Sequence, residues 1–212
     1  MQSISLIIPC KNERQHLPRL AACIEKLRLA PAEVQAIVVD NGSDDGSKQF
    51  LAEQMSQITL IESQAGSAAA VRNEGAKLAT GELLVFIDAD VVLADDWLEQ
   101  LRRLLEQQPD DRWLSGSQVL EPKDEPCFPR HWYDESSHHS DDTHVNSGHM
   151  LMPRSVFDEL KGFDERLISG EDYDISVRAK QLGCRLSNHA ELVAFHYGFP
   201  TNLRGFLQRE AW

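Results

Sequence analysis

The stretch Leu83-Leu84-Val85-Phe86-Ile87-Asp88-Ala89-Asp90 places five apolar residues directly before two carboxylates. An unbroken apolar run of this length is typical of a strand buried on both faces, as in a parallel sheet covered by helices. Such sheets bind ligands at the carboxyl ends of their strands. Asp88 and Asp90 therefore predict a site for a hard cation such as Mg²⁺ or Mn²⁺, which prefers oxygen ligands. The alternative is that both acids only cap the next helix.

Length and composition indicate one folded α/β domain. The chain has 212 residues, of which 42% are hydrophobic and 26% charged, as is usual for a globular domain. The 21 basic and 34 acidic residues give a net charge of −13, which argues against a nucleic-acid surface. No apolar stretch approaches the roughly 20 residues that span a bilayer.

The cysteines and the chain ends indicate the cellular compartment. Met1 leads directly into a strand-like segment, which leaves no room for a signal peptide. We therefore expect a cytoplasmic protein, either free or attached to the inner face of the cell membrane. The last residues, 206–212, resemble the start of an amphipathic helix, so we expect a truncated C-terminus. Four widely spaced cysteines form no C-x-x-C pair and are expected to be reduced thiols: Cys10, Cys23, Cys127 and Cys184.

Apolar runs alternate with segments of helical spacing throughout the first half. This alternation predicts βαβ units and a Rossmann-like, mostly parallel sheet flanked by helices. We expect Pro9 to end the first strand and Gly81 to close the third helix. Neither G-x-G-x-x-G nor G-x-x-x-x-G-K-[ST] is present, so a dinucleotide oxidoreductase is disfavoured and a P-loop enzyme is excluded. The predicted strands and helices cover residues 3–8, 17–27, 34–39, 58–61, 68–78, 83–87, 97–105 and 113–119.

The second half has a different character. Residues 121–142 are polar and proline-containing, which predicts a long loop of functional importance. Helices are expected near 157–160 and over 172–182, and a buried strand over 192–195. Within and after the loop, a solvated acidic segment is favoured over a metal cluster for five irregularly spaced residues: His138, His139, Asp141, Asp142 and His144.

Three predicted strands end in polar side chains that can share one crevice. Asn12 and Glu13 follow the first strand, Asp40 ends the second, and Asp88 follows the fourth. A carboxylate there can accept a hydrogen bond from a pyrimidine ring or a ribose hydroxyl. The alternatives are an Asx turn for Asp40 and helix capping for Asn12 and Glu13.

Later residues offer charge and acid–base chemistry. Arg72 is either a diphosphate partner or a solvated helix arginine. His196, at the end of a buried strand, is either a cation ligand or structural. Glu171, Asp172 and Asp174 suit the first turn of a helix, where the dipole favours acids, and a carboxylate there can also act as a general base.

Together, these motifs resemble the inverting family-two glycosyltransferases, which use nucleotide sugars and have a GT-A fold. The resemblance covers nearly the whole chain as a single domain, with 1–119 as the nucleotide-sugar half and 120–212 as a smaller half for the acceptor and the base. The matching motifs are Ser5-Leu6-Ile7-Ile8-Pro9-x-x-Asn12-Glu13, Val38-Val39-Asp40-x-Gly42-Ser43-x-Asp45-Gly46-Ser47, Arg72-Asn73-x-Gly75, Ala79-x-Gly81, Ile87-Asp88-Ala89-Asp90, Gly162-Phe163-Asp164-Glu165 and Glu171-Asp172.

The resemblance implies a role for each matched residue. Asp172 would be the general base, while Asp90 and His196 would hold a divalent cation, Mn²⁺ or Mg²⁺. Gly148 and Glu171 would lie on the acceptor side. The donor nucleotide would be bound by Pro9, Asn12, Glu13, Asp40, Arg72, Asp88 and Ala89.

The resemblance also implies the reaction and its partners. A sugar would move by direct displacement from a nucleoside-diphosphate sugar, by family habit a UDP-sugar, to a hydroxyl of a saccharide, a lipid-linked or a small-molecule acceptor. Such chemistry builds cell-envelope polysaccharides and can involve peripheral membrane association. Processive members carry Gln-x-x-Arg-Trp, whereas here Ala211 replaces the Arg between Gln208 and Trp212, so we expect non-processive transfer.

Three other functions stay open at this point. A nucleotidyltransferase that forms sugar nucleotides would share the sheet and a metal-binding acid, but it would normally carry a glycine-rich basic loop after the first strand. A glycoside hydrolase also uses two carboxylates and needs no nucleotide pocket. The third alternative is a non-catalytic partner domain that binds a nucleotide sugar.

Overall fold

The computed structural model describes residues 3–29, 34–108, 110–117, 119–122 and 144–210. The strands are β1 (Ile4–Cys10), β2 (Val34–Asp40), β3 (Thr59–Glu62), β4 (Leu83–Ile87), β5 (Val91–Leu93), β6 (Trp113–Gly116), β7 (Val119–Leu120), β8 (His149–Pro153), β9 (Arg185–Asn188) and β10 (Ala194–His196). The helices are α1 (Leu17–Leu29), α2 (Ser47–Gln54), α3 (Ala68–Leu78), α4 (Trp97–Gln107), α5 (Arg154–Leu160), α6 (Glu171–Gln181) and α7 (Leu203–Glu210).

Seven strands form the central sheet in the order β3-β2-β1-β4-β8-β6-β9. Strands β1 to β4 are mutually parallel, and β6 is parallel to β9. Strand β8 alone runs against its neighbours, β4 and β6. A second sheet, in the order β5-β10-β7, joins residues that follow β4 to the last strand of the chain. The predicted α/β, mostly parallel architecture is confirmed.

Strand β4 shows why an apolar run becomes the centre of this sheet. All five of its side chains are completely buried. Leu83, Val85 and Ile87 join the hydrophobic cluster that contains α1, α2 and α4, whereas Leu84 and Phe86 join the cluster that contains α3, α5 and α6. Because alternate side chains of a strand point to opposite faces, helices on both faces require apolar residues at every position.

Two expectations for single residues were wrong. Pro9 lies inside β1 and pairs with Val39. The pairing of β1 with β4 stops at Ile7, so Pro9 interrupts no ladder on that side. Helix α3 ends with Ala79 as its C-cap, and Gly81 has another role, since a Cβ at Gly81 would lie 2.6 Å from the backbone of β1.

Two strand predictions needed correction. The segment 113–119 is not one strand, because β6 belongs to the central sheet and β7 to the second sheet. The last strand begins at Ala194, two residues later than expected, where it pairs with β5 and β7. Both changes arise from the second sheet, which local sequence patterns did not predict.

Some predictions concern residues that the structure does not describe, or describes only in part. Most of the predicted loop over 121–142 lies outside them, as do His138, His139, Asp141, Asp142 and Cys127. The three described cysteines are buried free thiols. Along the described ranges, none of the helices combines the length and the apolar character that crossing a membrane requires.

Candidate active site

The polar residues at the strand ends lie at one edge of the central sheet. Cys10 and Asp40 are partners in adjacent parallel strands, and β4 ends just before Asp88. The capping alternative for Asp88 and Asp90 is excluded, because β5 follows them directly. The next helix, α4, begins only at Trp97 with Asp96 as its N-cap.

Arg72 joins this edge to the start of α6. Its two terminal nitrogens donate to Asp88 Oδ1 and to Glu171 Oε1, each over 2.8 Å. The Arg72 side chain is only 4% exposed, while that of Glu171 is 12% and that of Asp88 is 36% exposed. A guanidinium with five fixed donors suits two carboxylates at once. The alternative of a solvated helix arginine is therefore excluded.

Asp90 has a different partner, His196. His196 Nε2 lies 3.1 Å from Asp90 Oδ2, and both side chains are 14% exposed. Burial raises the pKa of Asp90, but the hydrogen bond and the charge of His196 outweigh this effect and hold that pKa below its usual value. The next residues pack on Asp90 as well: Tyr197 N donates to Asp90 O over 2.8 Å, and a Cβ at Gly198 would lie 1.8 Å from Asp90 Oδ2.

The charges of Asp88 and Asp90 affect the ionisation of Glu13. Its pKa is raised to about 8, chiefly by burial and then by the charges of Asp90, Asp88 and Asp45. The Glu13 backbone N–H donates to Ser47 Oγ over 3.0 Å. Glu13, Asp88 and Asp90 thus form an acidic corner after β1 and β4, and a cation bound there would favour the ionised form of each carboxyl group.

The loop after β1 is shaped by neighbouring loops rather than by helix capping. Asn12 has φ 59°, and its side-chain oxygen accepts from the Asp44 N–H over 2.9 Å. Helix α1 begins only at Leu17, and Glu13 O accepts from the Leu17 N–H over 3.2 Å. The capping alternative for the side chains of Asn12 and Glu13 is therefore excluded.

The two carboxylate oxygens of Asp40 have different surroundings. Its Oδ2 accepts from the Ser43 N–H, three residues further on, over 3.2 Å, and this hydrogen bond holds the turn after β2. Its Oδ1 is buried without a hydrogen-bond partner in the described structure. A buried, unpaired carboxylate oxygen is costly, so this atom is suited to a ligand that donates. Pro9 is half-buried nearby, whereas the Ala89 side chain packs in the hydrophobic core and leaves only its backbone for a ligand.

The predicted base, Asp172, lies in the first turn of α6. His144 Nε2 is 3.3 Å from Asp172 Oδ2, and the Tyr173 N–H donates to Asp172 Oδ1 over 2.8 Å. The Ser147 backbone N–H is a further donor. Burial raises the pKa of Asp172, but the His144 hydrogen bond and charge, with the two backbone donors, give a net lowering.

Residues Ser147 and Gly148 lie between Asp172, the predicted base, and Asp88. Ser147 donates to Asp172, and a Cβ on Gly148 would lie 3.2 Å from Asp88 Oδ2. Gly148 thus lies between Asp88 and the start of β8, where a side chain would crowd the carboxylate. The structure therefore brings Asp88, Asp90, Glu171, Asp172 and His196 to one edge of the sheet.

The sequence matches a family of known proteins over most of its length. A family model described as glycosyl transferase family 2 matches residues 5–160. The chain belongs to this family. The match includes nearly all of β1 and all of β2 to β8, and it contains Glu13, Asp40, Asp88 and Asp90.

Two relatives that resemble the chain are glycosyltransferases by name. The pre-mycofactocin glycosyltransferase of Mycobacterium tuberculosis is 27% identical over 232 residues, which cover 100% of this chain and 46% of that protein. The amylovoran biosynthesis glycosyltransferase AmsB of Erwinia amylovora is 29% identical over 92% of this chain and 69% of its own length. This chain thus spans about half of the first of these relatives.

The fold is that of a GT-A glycosyltransferase. The mannosyltransferase PcManGT of Pyrobaculum calidifontis, solved with GDP-Man and Mn²⁺, superimposes with a TM-score of 0.76. It is 19% identical, and the match covers 99% of this chain and 61% of that one. At this identity the likeness concerns the fold alone.

The predicted cation site depends on the ligand atoms that Asp90 and His196 provide. Asp90 and His196 offer one carboxylate oxygen and one imidazole nitrogen, which suit Mn²⁺. His196 Nδ1 is buried without a hydrogen-bond partner among the described groups. Within the described ranges, no three His, Cys, Asp or Glu side chains form a ready metal site. The pair fits a cation whose other ligands come from a bound molecule and water.

Sequence reasoning missed the contributions of four residues to this site. His144 was assigned to a solvated loop, and Ser147 and Gly198 were given no role. Asn73 was quoted only as part of a motif, yet its side chain exchanges two hydrogen bonds of 2.9 Å with the Phe163 backbone. The proximity of Asn73 to Arg72 in sequence was the one available signal, since both hold the segment that leads to α6.

Proposed function

We propose that this chain is the donor-binding and base-bearing part of an inverting, metal-dependent and non-processive glycosyltransferase. The observation that carries the proposal is the bridge made by Arg72. One buried guanidinium holds a donor-side acid, Asp88, and the residue that precedes the predicted base, Glu171. An enzyme that attacks a bound sugar with an acceptor hydroxyl needs these two groups at fixed positions.

The protein's own side chains supply the chemistry of the displacement. Asp172 takes the proton from the acceptor hydroxyl while the oxygen of that hydroxyl attacks the anomeric carbon. The bond between the anomeric carbon and the nucleoside diphosphate breaks in the same step. Asp40 Oδ1 is suited to accept from the nucleoside, and Asp88 from the ribose or the sugar. Asp90 and His196 would hold the cation, which supplies positive charge for the diphosphate.

The donor is a nucleoside-diphosphate sugar. We propose a UDP-sugar first, as is usual in the family. A GDP-sugar comes second, because PcManGT was solved with GDP-Man and Mn²⁺. The acceptor is a saccharide or lipid-linked hydroxyl of a cell-envelope polysaccharide, for which the name of AmsB offers a parallel. With a lipid-linked acceptor, the protein would work at the inner face of the cell membrane.

A binding screen followed by product analysis tests this function. UDP-, GDP- and dTDP-sugars are screened with and without Mn²⁺ by thermal shift, because specific binding stabilises the native state. The matching donor is then incubated with candidate acceptors, and the products are identified by chromatography and by NMR of the anomeric proton. We expect release of nucleoside diphosphate and a product of inverted anomeric configuration.

Each rival function has its own result. Release of pyrophosphate would indicate a nucleotidyltransferase, and cleavage of simple glycosides without a nucleotide would indicate a hydrolase. Binding of a nucleotide sugar without turnover of any acceptor would favour a partner domain. A ladder of long products in the first turnovers would contradict non-processive transfer.

A further inference from the structure

We propose that His144 is a positioning residue for Asp172: its imidazole holds one carboxylate oxygen, so that the base stays ionised and in one orientation. The proposal rests on the proposed function, in which Asp172 is the base. His144 Nε2 lies 3.3 Å from Asp172 Oδ2, and the His144 side chain is 37% exposed. The two residues come from different elements, so the contact depends on the fold.

The backbone around His144 is held firmly. Asn188, the last residue of β9, donates its amide to His144 O over 3.0 Å. The next residue, Val145, is fully buried, and its N–H donates to Ser176 Oγ of α6 over 3.1 Å. Contacts from β9 and α6 therefore fix the backbone of this segment beside α6, and from this position the imidazole reaches Asp172.

The other charged groups near Asp172 already have partners. On the same turn of α6, Glu171 is paired with Arg72, and Asp174 is paired with Arg178 over 2.6 Å. Asp172 is otherwise held by the backbone donors of Tyr173 and Ser147. The imidazole of His144 is thus the group among the described residues that compensates the charge of Asp172.

The pairing has a direct chemical consequence. A carboxylate with 19% of its side chain exposed loses hydration, and burial by itself favours the protonated form, which cannot accept a proton. A nearby donor with positive charge reverses that preference. His144 Nε2 engages Oδ2 while Tyr173 N engages Oδ1, so rotation of the carboxylate is restricted.

Two variants separate the hydrogen bond from the charge. His144→Gln keeps a donor without a charge, and His144→Phe keeps a ring with neither. His189→Gln is the matched control, because His189 contacts Ser187 near the end of β9. The pH dependence of kcat and KM is measured for each protein, and the Asp172 carboxyl is titrated by ¹³C NMR, with Asp172→Asn to assign its signal.

We expect the Asp172 titration and the acid limb of kcat to move together to higher pH in His144→Phe. At acidic pH the loss in kcat should be at least about threefold, with KM for the donor unchanged, because only the fraction of ionised base falls. His144→Gln should fall between His144→Phe and the unmodified protein, and His189→Gln should match the latter.

Two results would overturn the proposal: an Asp172 titration unchanged in both variants, or pH profiles that superimpose on that of the unmodified protein. Failure of the proposed function is distinguished from these results. The unmodified protein would then transfer no sugar, while the carboxyl titration would still decide whether His144 controls Asp172.

Discussion

The proposed donor side of this site, with Asp40 and Asp88, and its proposed base side, with Asp172, are built in different ways. On the donor side, Asp40 ends β2 and Asp88 follows β4, and the pairing of both parallel strands with β1, which lies between them, fixes the spacing of the two acids. On the base side, Asp172 is placed by side-chain contacts that join distant parts of the chain. Arg72 and Glu171 are 99 residues apart, and Asn73 and Phe163 are 90 apart.

Helix α3 connects the two sides. Arg72 reaches Asp88 and Glu171, while Asn73 holds the backbone at Phe163. A sheet edge is rigid because many backbone hydrogen bonds share the load, whereas the base side depends on a few contacts. Changes on the base side should therefore have large and specific effects.

The largest effect is expected at the base itself. Asp172→Asn keeps the shape of the side chain but cannot take up a proton, so kcat should fall about 10²–10⁴-fold. Nucleotide binding, measured by calorimetry, should change little, because the donor side is left intact. Asp174→Asn is the control on the same helical turn, since Asp174 pairs with Arg178. Sugar transfer by Asp172→Asn at the parent rate would refute the assignment.

The next effect concerns the bridge between the two sides. Arg72→Met removes the guanidinium that lies between Asp88 and Glu171, and Glu171 is left buried without its partner. Breaking a buried pair costs about 3–5 kcal/mol, and we expect the lower end because Asp88 is 36% exposed. Urea unfolding measures this loss.

Arg112→Met is the control for Arg72→Met, since Arg112 and Glu159 form an exposed pair. We expect little change in its free energy of unfolding, because exposed ion pairs contribute weakly. Equal losses in the two variants would mean that the Arg72 bridge is not special and that the base side is held elsewhere.

The donor side was also the more predictable one. The five apolar residues of β4 predicted burial on both faces, and all five are fully buried. Pro9 was misplaced because its tolerance depends on where β4 stops pairing with β1, and such register is not visible in one strand's sequence. His144 was missed because nothing local indicates that it lies 3.3 Å from Asp172.

A smaller effect is expected at the contact between Asp90 and the segment that follows His196. A Cβ at Gly198 would lie 1.8 Å from Asp90 Oδ2, so Gly198→Ala must displace one of them. Overpacking of this kind costs about 1–3 kcal/mol. We expect weaker Mn²⁺-dependent nucleotide binding in calorimetry. In Gly66→Ala the new Cβ has no atom within 4 Å, so binding should be unchanged.

The smallest effect is expected at the acidic corner on the donor side, which Glu13, Asp88 and Asp90 form. The pKa of Glu13 is raised to about 8, so between the usual pKa of an exposed Glu and pH 8 the folded protein binds a proton that the unfolded chain has released. Stability must then fall as pH rises through this window. Each tenfold change in that protonation equilibrium corresponds to about 1.4 kcal/mol.

Glu13→Gln removes this titration, so in EDTA its free energy of unfolding should decline less between pH 5 and pH 8 than that of the unmodified protein. Glu53→Gln, on the exposed side of α2, is the control and should keep the parental pH dependence. Parallel curves for Glu13→Gln and the unmodified protein would show that Glu13 is ionised beside Asp88 and Asp90. The donor side would then hold three ionised carboxylates, of which Asp88 is compensated by Arg72 and Asp90 by His196, so it would depend on side-chain pairs as the base side does.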